Sequence, residues 1–401
     1  MTGINVAVIG TGQTAFRSRY DDKTYPELAQ EAVVLALRDA GVTHEEVDAI
    51  VFSMAPTEFM GVHDCEKWAV DYVWARGKPF MRVHTGGATG GSAFQAACAH
   101  VSSGQYDTVL VVGADRITET PDAQFVLNLI WDYFYEHDFA LNTVTMTALA
   151  AQRYMHKYGT TEEQFARVVV RARKNALNNP TAHLKGHITV EDVLNSARIS
   201  WPFKLFDICP RSAGAAAVVI TKESLARDRC SKPAFVTGTS GISNTVFMGD
   251  RMGPFAETDF ADQAELVIAA NKCYSMAGIT NPIKQIQATE LYDPFSTFQF
   301  PILESLGFCK RGTAQHLSDD GAFDMDGEIA INPSGGTLCT NPIGVTGLVR
   351  VADAARQIMG RAGDMQVKNA RNVLATAAGG STQFGVITML SDEPRRKTAS
   401  I

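Results

Sequence analysis

Two pairs of short motifs recur in the same order along the chain. Gly87-Ala-Thr-Gly90 returns as Gly344-Val-Thr-Gly347, each ahead of a helical stretch and then an apolar strand, at 109–113 and 373–377. Upstream of each, Ala40-Gly-Val-Thr43 before the strand at 48–52 is echoed by Ala277-Gly-Ile-Thr280 before 285–291. Ordered echoes indicate an internal duplication, and the period is far too long for a solenoid. Two similar halves that alternate strand and helix predict mostly parallel or mixed sheets with helices against them. At 401 residues the chain is also long for one core. The expected halves are 1–225 and 226–401, with 117–204 inserted in the first and unmatched in the second.

Local signals fill in this frame. Residues 4–10 read as a buried strand ending in Gly-Thr-Gly, which lacks the third glycine of a dinucleotide-binding loop. Helical spacing over 25–40 stops at Gly41. Trp68, Tyr72 and Trp74 suit a core or a subunit contact. The insertion carries Phe125, Trp131, Tyr133, Phe134, Tyr135 and Phe139. An excursion of this size commonly covers a site, so Phe125, Trp131 and Phe134 are expected to form a substrate lid. Its helix over 161–178 opens on the capping pattern Thr161-Glu-Glu-Gln164. Arg167, Arg171, Arg173 and Lys174 on it read as a solvated face, in preference to a phosphate-binding surface.

The most chemically loaded stretch is Asn332-Pro-Ser-Gly-Gly-Thr-Leu-Cys339-Thr-Asn341-Pro-Ile-Gly344. Cys339 and Asn341, two residues apart, face the same way in an extended segment. They precede an amphipathic helix predicted over 348–359. Free N–H groups and the dipole at a helix N-terminus favour negative charge, hence a thiolate or an oxyanion. A tight strand-to-helix loop is the evenly weighted alternative. Tyr292 and Asp293 fall at the C-terminal end of a strand, a usual place for site residues in α/β folds. A core tyrosine and a helix-capping aspartate account for them equally well.

The net charge of −7 argues against a nucleic-acid surface or a basic membrane patch. No apolar run reaches membrane-spanning length, and the N-terminus has no signal-peptide pattern. The seven cysteines are scattered, without CxxC pairs. That suits reduced thiols in a cytoplasm and no metal site of the chain's own.

Four local motifs, with the duplication and the insertion, resemble the thiolase superfamily, most closely its sterol-carrier-type thiolases and lipid-transfer thiolase-like proteins. Trp201-Pro-Phe-Lys-Leu-Phe-Asp-Ile-Cys209-Pro-Arg-Ser-Ala-Gly214 is similar to the family's segment that re-enters the first half. The stretch from Asn341 to Gly347 is similar to its Gly-His-Pro-x-Gly-Ala-Thr-Gly loop. The resemblance covers essentially the whole chain. It implies an α/β thiolase fold, with two duplicated halves in a five-layer α-β-α-β-α sandwich and an inserted loop domain. It also implies a homodimer, coenzyme A as substrate, and an oxyanion-binding floor at Gly86, Gly87, Gly379 and Gly380.

The departures from the family pattern fall on its catalytic set. Gly87 stands where the family has its nucleophilic Cys, Asn341 where it has the loop His, and Tyr292 where it has a second His or Asn. The family's second Cys falls near Ala378. An amide cannot shuttle a proton at neutral pH. Three readings follow. The first is CoA-dependent retro-Claisen cleavage of a bulky, perhaps aryl β-ketoacyl-CoA, as in acylsuccinyl-CoA thiolases. Cys339 would be its displaced nucleophile or base, Cys209 being read as structural. The second is retro-aldol cleavage of a β-hydroxyacyl-CoA through Tyr292, as in steroid side-chain aldolases. The third is a non-catalytic acyl-CoA or lipid carrier. The resemblance also implies a small zinc-ribbon/OB-fold partner subunit, giving a heterotetramer.

Overall fold

The computed structural model describes residues 5–136, 138–139, 141–252, 256, 258–380 and 382–395. Part of the polar C-terminal run, from 396 onward, lies outside them.

Ten strands carry the fold: β1 (Val6–Gln13), β2 (Ala49–Ser53), β3 (Phe80–Val83), β4 (Thr108–Arg116), β5 (Ala213–Lys222), β6 (Ala234–Ser243), β7 (Ala288–Glu290), β8 (Ala330–Ile331), β9 (Asn372–Gly379) and β10 (Phe384–Ser391). Seven helices matter here: α1 (Tyr25–Ala40), α2 (Thr89–Ser102), α3 (Ala123–Asn128), α4 (Thr143–Tyr158), α5 (Glu162–Ala176), α6 (Leu266–Ala277) and α7 (Thr346–Met359). The strands hydrogen-bond in the order β8-β7-β9-β10-β6-β1-β5-β4-β2-β3. Read outward from the centre, the two halves repeat one pattern. β2 pairs in parallel with β3 and β4, as β7 does with β8 and β9. β4–β5 and β5–β1 are antiparallel, as are β9–β10 and β10–β6. The half-sheets meet where Ala7 and Val8 of β1 face Phe235 and Ala234 of β6.

Helices complete five layers. α1 covers one half-sheet and α6 the other, while α2 and α7 pack on each other and touch strands of both. Glycines of the repeated motif explain its recurrence. A Cβ on Gly90 would lie 2.4 Å from the Leu348 nitrogen, and one on Gly347 2.6 Å from the Gly91 nitrogen. The two central helices cross backbone against backbone, and any side chain there would force them apart.

Two expectations about helices are corrected. α7 has no solvated face: every residue except Arg356 is buried. Its polar side turns inward, where Arg350 Nη1 donates to Glu290 Oε2 at 2.9 Å and to Ser334 Oγ at 2.8 Å. The cations of α5 split. Arg167, which pairs with Asp319, and Lys174 are exposed, whereas buried Arg171 donates to Ser318 Oγ at 2.9 Å and to Gln299. The division at 225/226 would cut the short helix Glu223–Arg229. Residues 230–233 then lead from that helix into β6. Among the described residues no helix is long and apolar enough to cross a membrane.

Candidate active site

The ends of five elements converge on one cavity of about 210 Å³. Gly86 and Gly87 reach it from the turn before α2, Tyr292 from the loop after β7, and Gly379 and Gly380 from the end of β9. Asn341 comes from the loop before α7 and Cys209 from the loop before β5. Among the described residues no Asp or Glu lines it.

The closest relationship is between Gly87 and Tyr292. A Cβ on Gly87 would lie 2.6 Å from Tyr292 Oη and 2.6 Å from the Ala378 carbonyl oxygen. The phenol therefore fills the space in which a side chain at position 87 would begin. Tyr292 is fixed by its backbone N–H, which donates to Thr376 Oγ1 at 2.8 Å. Burial, and then the proximity of Cys209 and Asp115, push its phenol above the ordinary range, so it is neutral near pH 7.

Asn341 is oriented by two donors. Thr346 Oγ1–H at 2.8 Å and the Ile343 N–H at 3.3 Å both reach its Oδ1. Its Nδ2 is thereby turned to Cys209, donating to Sγ at 3.0 Å. The Cys209 N–H donates to the Pro294 carbonyl at 2.9 Å, which ties this loop to the Tyr292 loop. Burial pushes the Cys209 thiol up to about 12, opposed by the amide hydrogen bond. Behind the wall, Asp115 accepts the Ala55 N–H at 2.7 Å and the Val345 N–H at 2.8 Å. It ties the loop bearing Pro56 and Phe59 to the start of α7, and burial pushes its carboxyl up to about 7.

The cavity gathers Tyr292, Asn341, Gly86, Gly87, Gly379 and Gly380 from the sequence-predicted set and leaves the rest outside it. Cys339 is fully buried, packed in a hydrophobic cluster with Leu338 and Ile331, and does not line the cavity. Burial pushes its thiol up to about 12. The loop is not extended at Cys339, whose N–H donates to the Gly336 carbonyl at 3.2 Å. The two-residue spacing therefore does not put it beside Asn341. Asp293 is also fully buried, its Oδ2 accepting Gln299 Nε2 and Asn332 Nδ2, each at 2.8 Å. The insertion reaches the cavity, but not through the aromatic side chains expected to do so. Phe125 and Phe134 are 63% and 83% exposed, and Trp131 packs against Met146 and Met248. Val126, Leu127 and Ile130 face the cavity instead.

Cys209, dismissed as structural, is the cavity thiol. A Cys-Pro pair just ahead of a strand was its only sequence signal. Asp115, ending an apolar strand, had a clearer one.

Fold and site together define a thiolase-type α/β protein in which Gly87, at the turn before α2, lines the cavity. The comparisons agree with that class. Residues 6–193 match the thiolase N-terminal domain and 251–392 the thiolase C-terminal domain-like family. The chain is 32% identical to an acetyl-CoA acetyltransferase of Methanothermobacter thermautotrophicus, over 96% of this chain and 99% of that one. It is 33% identical to a steroid side-chain-cleaving aldolase of Thermomonospora curvata, over 95% and 97%. Among solved structures it is similar to an Ltp2-ChsH2(DUF35) aldolase, with TM-score 0.82, 29% identity and 98% and 99% coverage. The chain belongs to the thiolase family.

Proposed function

We propose that this protein cleaves a carbon–carbon bond of an acyl-CoA thioester by aldol-type chemistry, with no acyl-enzyme at position 87. The observation that carries the reading is the Tyr292 hydroxyl, which stands where a nucleophilic side chain at 87 would begin. The β-hydroxyl gives up its proton, Cα–Cβ breaks, and the electron pair passes to the thioester as an enolate. A proton then returns to Cα, so no second substrate is consumed. Tyr292, held neutral by burial, gives its own proton to Cα as it takes the one leaving the β-hydroxyl, and so ends neutral. Backbone N–H groups of the glycine floor and Asn341 Nδ2 are the donors available to the enolate oxygen. Similarity to the steroid side-chain-cleaving aldolase supports the reading.

A second reading, CoA-dependent retro-Claisen cleavage of a β-ketoacyl-CoA, rests on Cys209 in place of Cys339. Its support is the Asn341 Nδ2–Cys209 Sγ contact of 3.0 Å.

We also propose a dimer that binds a small zinc-ribbon/OB-fold partner. The two-component name of the similar aldolase structure supports this, as does the exposed cluster of Tyr133, Phe134 and Tyr135 in the insertion.

The test is turnover of paired β-hydroxyacyl- and β-ketoacyl-CoAs by the wild type, Tyr292→Phe and Cys209→Ala. Aldol cleavage releases an aldehyde or ketone without added CoA, and Tyr292→Phe lowers kcat about 100-fold or more. Cleavage of only the β-keto substrate, dependent on CoA and on Cys209, would replace it with the second reading. Binding without turnover of either leaves a carrier.

A further inference from the structure

Ile343 has a φ of 56°, in the left-handed region that a β-branched residue adopts only at a cost. Glycine would take this backbone without strain. The conformation is imposed from both sides. On one side, Asn341 Oδ1 accepts the Ile343 N–H at 3.3 Å and the Thr346 hydroxyl at 2.8 Å. On the other, Ser53 Oγ donates to the Gly344 carbonyl at 3.0 Å, and Asp115 accepts the Val345 N–H at 2.8 Å. The next residue leaves no room to relax, since a Cβ on Gly344 would lie 2.2 Å from the Ala55 nitrogen.

The strained turn holds one side chain in one place. Ile343 lines the cavity and packs in a small cluster with Ala55, Phe59, Ile117 and Val126. Phe59, Ile117 and Val126 line the cavity as well. The cluster is separate from the two large cores, so its apolar surface is spent largely on the cavity wall.

The cavity therefore differs at its two ends. Past Cys209 it adjoins a wider space of about 640 Å³, with which it also shares Gln124 and Arg211. None of Phe59, Ile117, Val126 and Ile343 lines that space. The phosphates of CoA need water or hydrogen-bond donors, so a bound ester leaves them on the open side. An apolar acyl group gains by burying its surface against the Ile343 cluster. In a cavity of about 210 Å³, the side chain that cannot withdraw sets the limit.

We propose that Ile343 sets acyl size: its side chain is the stop at the apolar end of the cavity, and its strained backbone keeps that stop from moving aside. The proposal rests on the acyl-CoA reading above and names the residue that selects within that class.

Saturated straight-chain esters from acetyl-CoA to decanoyl-CoA are titrated calorimetrically into the full chain and into Ile343→Ala, Ile343→Val and Ile343→Phe. In the wild type, the gain in affinity with each added methylene is expected to stop at one chain length. Ile343→Ala moves that break to longer chains and binds the first excluded ester about tenfold tighter than wild type does. Ile343→Phe moves the break to shorter chains, Ile343→Val leaves it close to wild type, and free CoA binds all of them alike. Where Ile343→Phe does not fold, Ile343→Ala decides alone, because tighter binding of a longer ester is not a symptom of damage. A wild type without a break, or a break that Ile343→Ala leaves in place, would overturn the proposal. So would a single factor of weakening for free CoA and every ester, the mark of a residue that only supports the loop. None of these probes has a β-hydroxyl or β-keto group, so the result stands apart from the cleavage reading. A moved break in a chain that cleaves neither substrate class keeps the stop and removes that reading, and cleavage with an unmoved break does the reverse.

Discussion

Tyr292 Oη lies 2.6 Å from the point where a Cβ on Gly87 would be built. A side chain at 87 and the phenol at 292 compete for one space on the cavity floor. A cysteine placed at 87 would collide with both the phenol and the Ala378 carbonyl, which also lies at 2.6 Å.

Gly87→Ala is therefore expected to destabilise the fold by about 1–3 kcal/mol, the usual cost of overpacking. Adding Tyr292→Phe recovers only part of this, because the Ala378 carbonyl remains. Denaturant unfolding of the two variants measures it, and a stable Gly87→Ala would show that the floor is not close-packed.

Cys209 and Cys339 should separate by thiol labelling of the folded chain. Cys209 is partly exposed, as is Cys309, whereas Cys339 is buried. Cys209 and Cys309 should label, and only Cys209 should be protected by a bound acyl-CoA. Cys339→Ala should keep turnover and cost about 1–2 kcal/mol as a small core deletion. Loss of turnover in a folded Cys339→Ala would restore that thiol to the chemistry.

Asp293 sets a pH dependence of stability. Burial pushes its carboxyl up to about 6, so the folded state holds a proton that the unfolded chain has released. With more protons bound when folded, stability falls as pH rises from about 4 to about 6. Asp293→Asn keeps the shape and an oxygen for the two amides, and should flatten that fall. At pH 7 it should be more stable than wild type by roughly 1–3 kcal/mol. Thermal unfolding across pH reads this, and an unchanged slope would assign the titration elsewhere.

The insertion should respond on one side only. Ile130 lines the cavity, whereas Phe134 is 83% exposed. Ile130→Trp should raise KM for bulky acyl groups about tenfold, and Phe134→Ala should leave the isolated chain's kinetics unchanged. Steady-state assays over acyl size compare the two, and the reverse pattern would place the lid on the other face.

The duplication was legible in the chain because glycines at the crossing of α2 and α7 are demanded by backbone contact, which a sequence records as an exact spacing. The strand ends bearing Gly87 and Tyr292 were legible for the same reason: apolar runs and turn residues mark them locally. Spacing alone misassigned Cys339, Asp293 and the lid aromatics. Which face of a loop meets a cavity depends on the element it packs against, not on its own residues. Cys339 turns into a core built partly from α5, and Cys209 reaches the site through the Pro294 carbonyl and the Asn341 amide. The unpaired state of Arg173 was equally hidden. Three arginines lie within seven residues of one helix, and only the packing around them decides that Arg167 and Arg171 find partners in the chain while Arg173 Nε is buried without one.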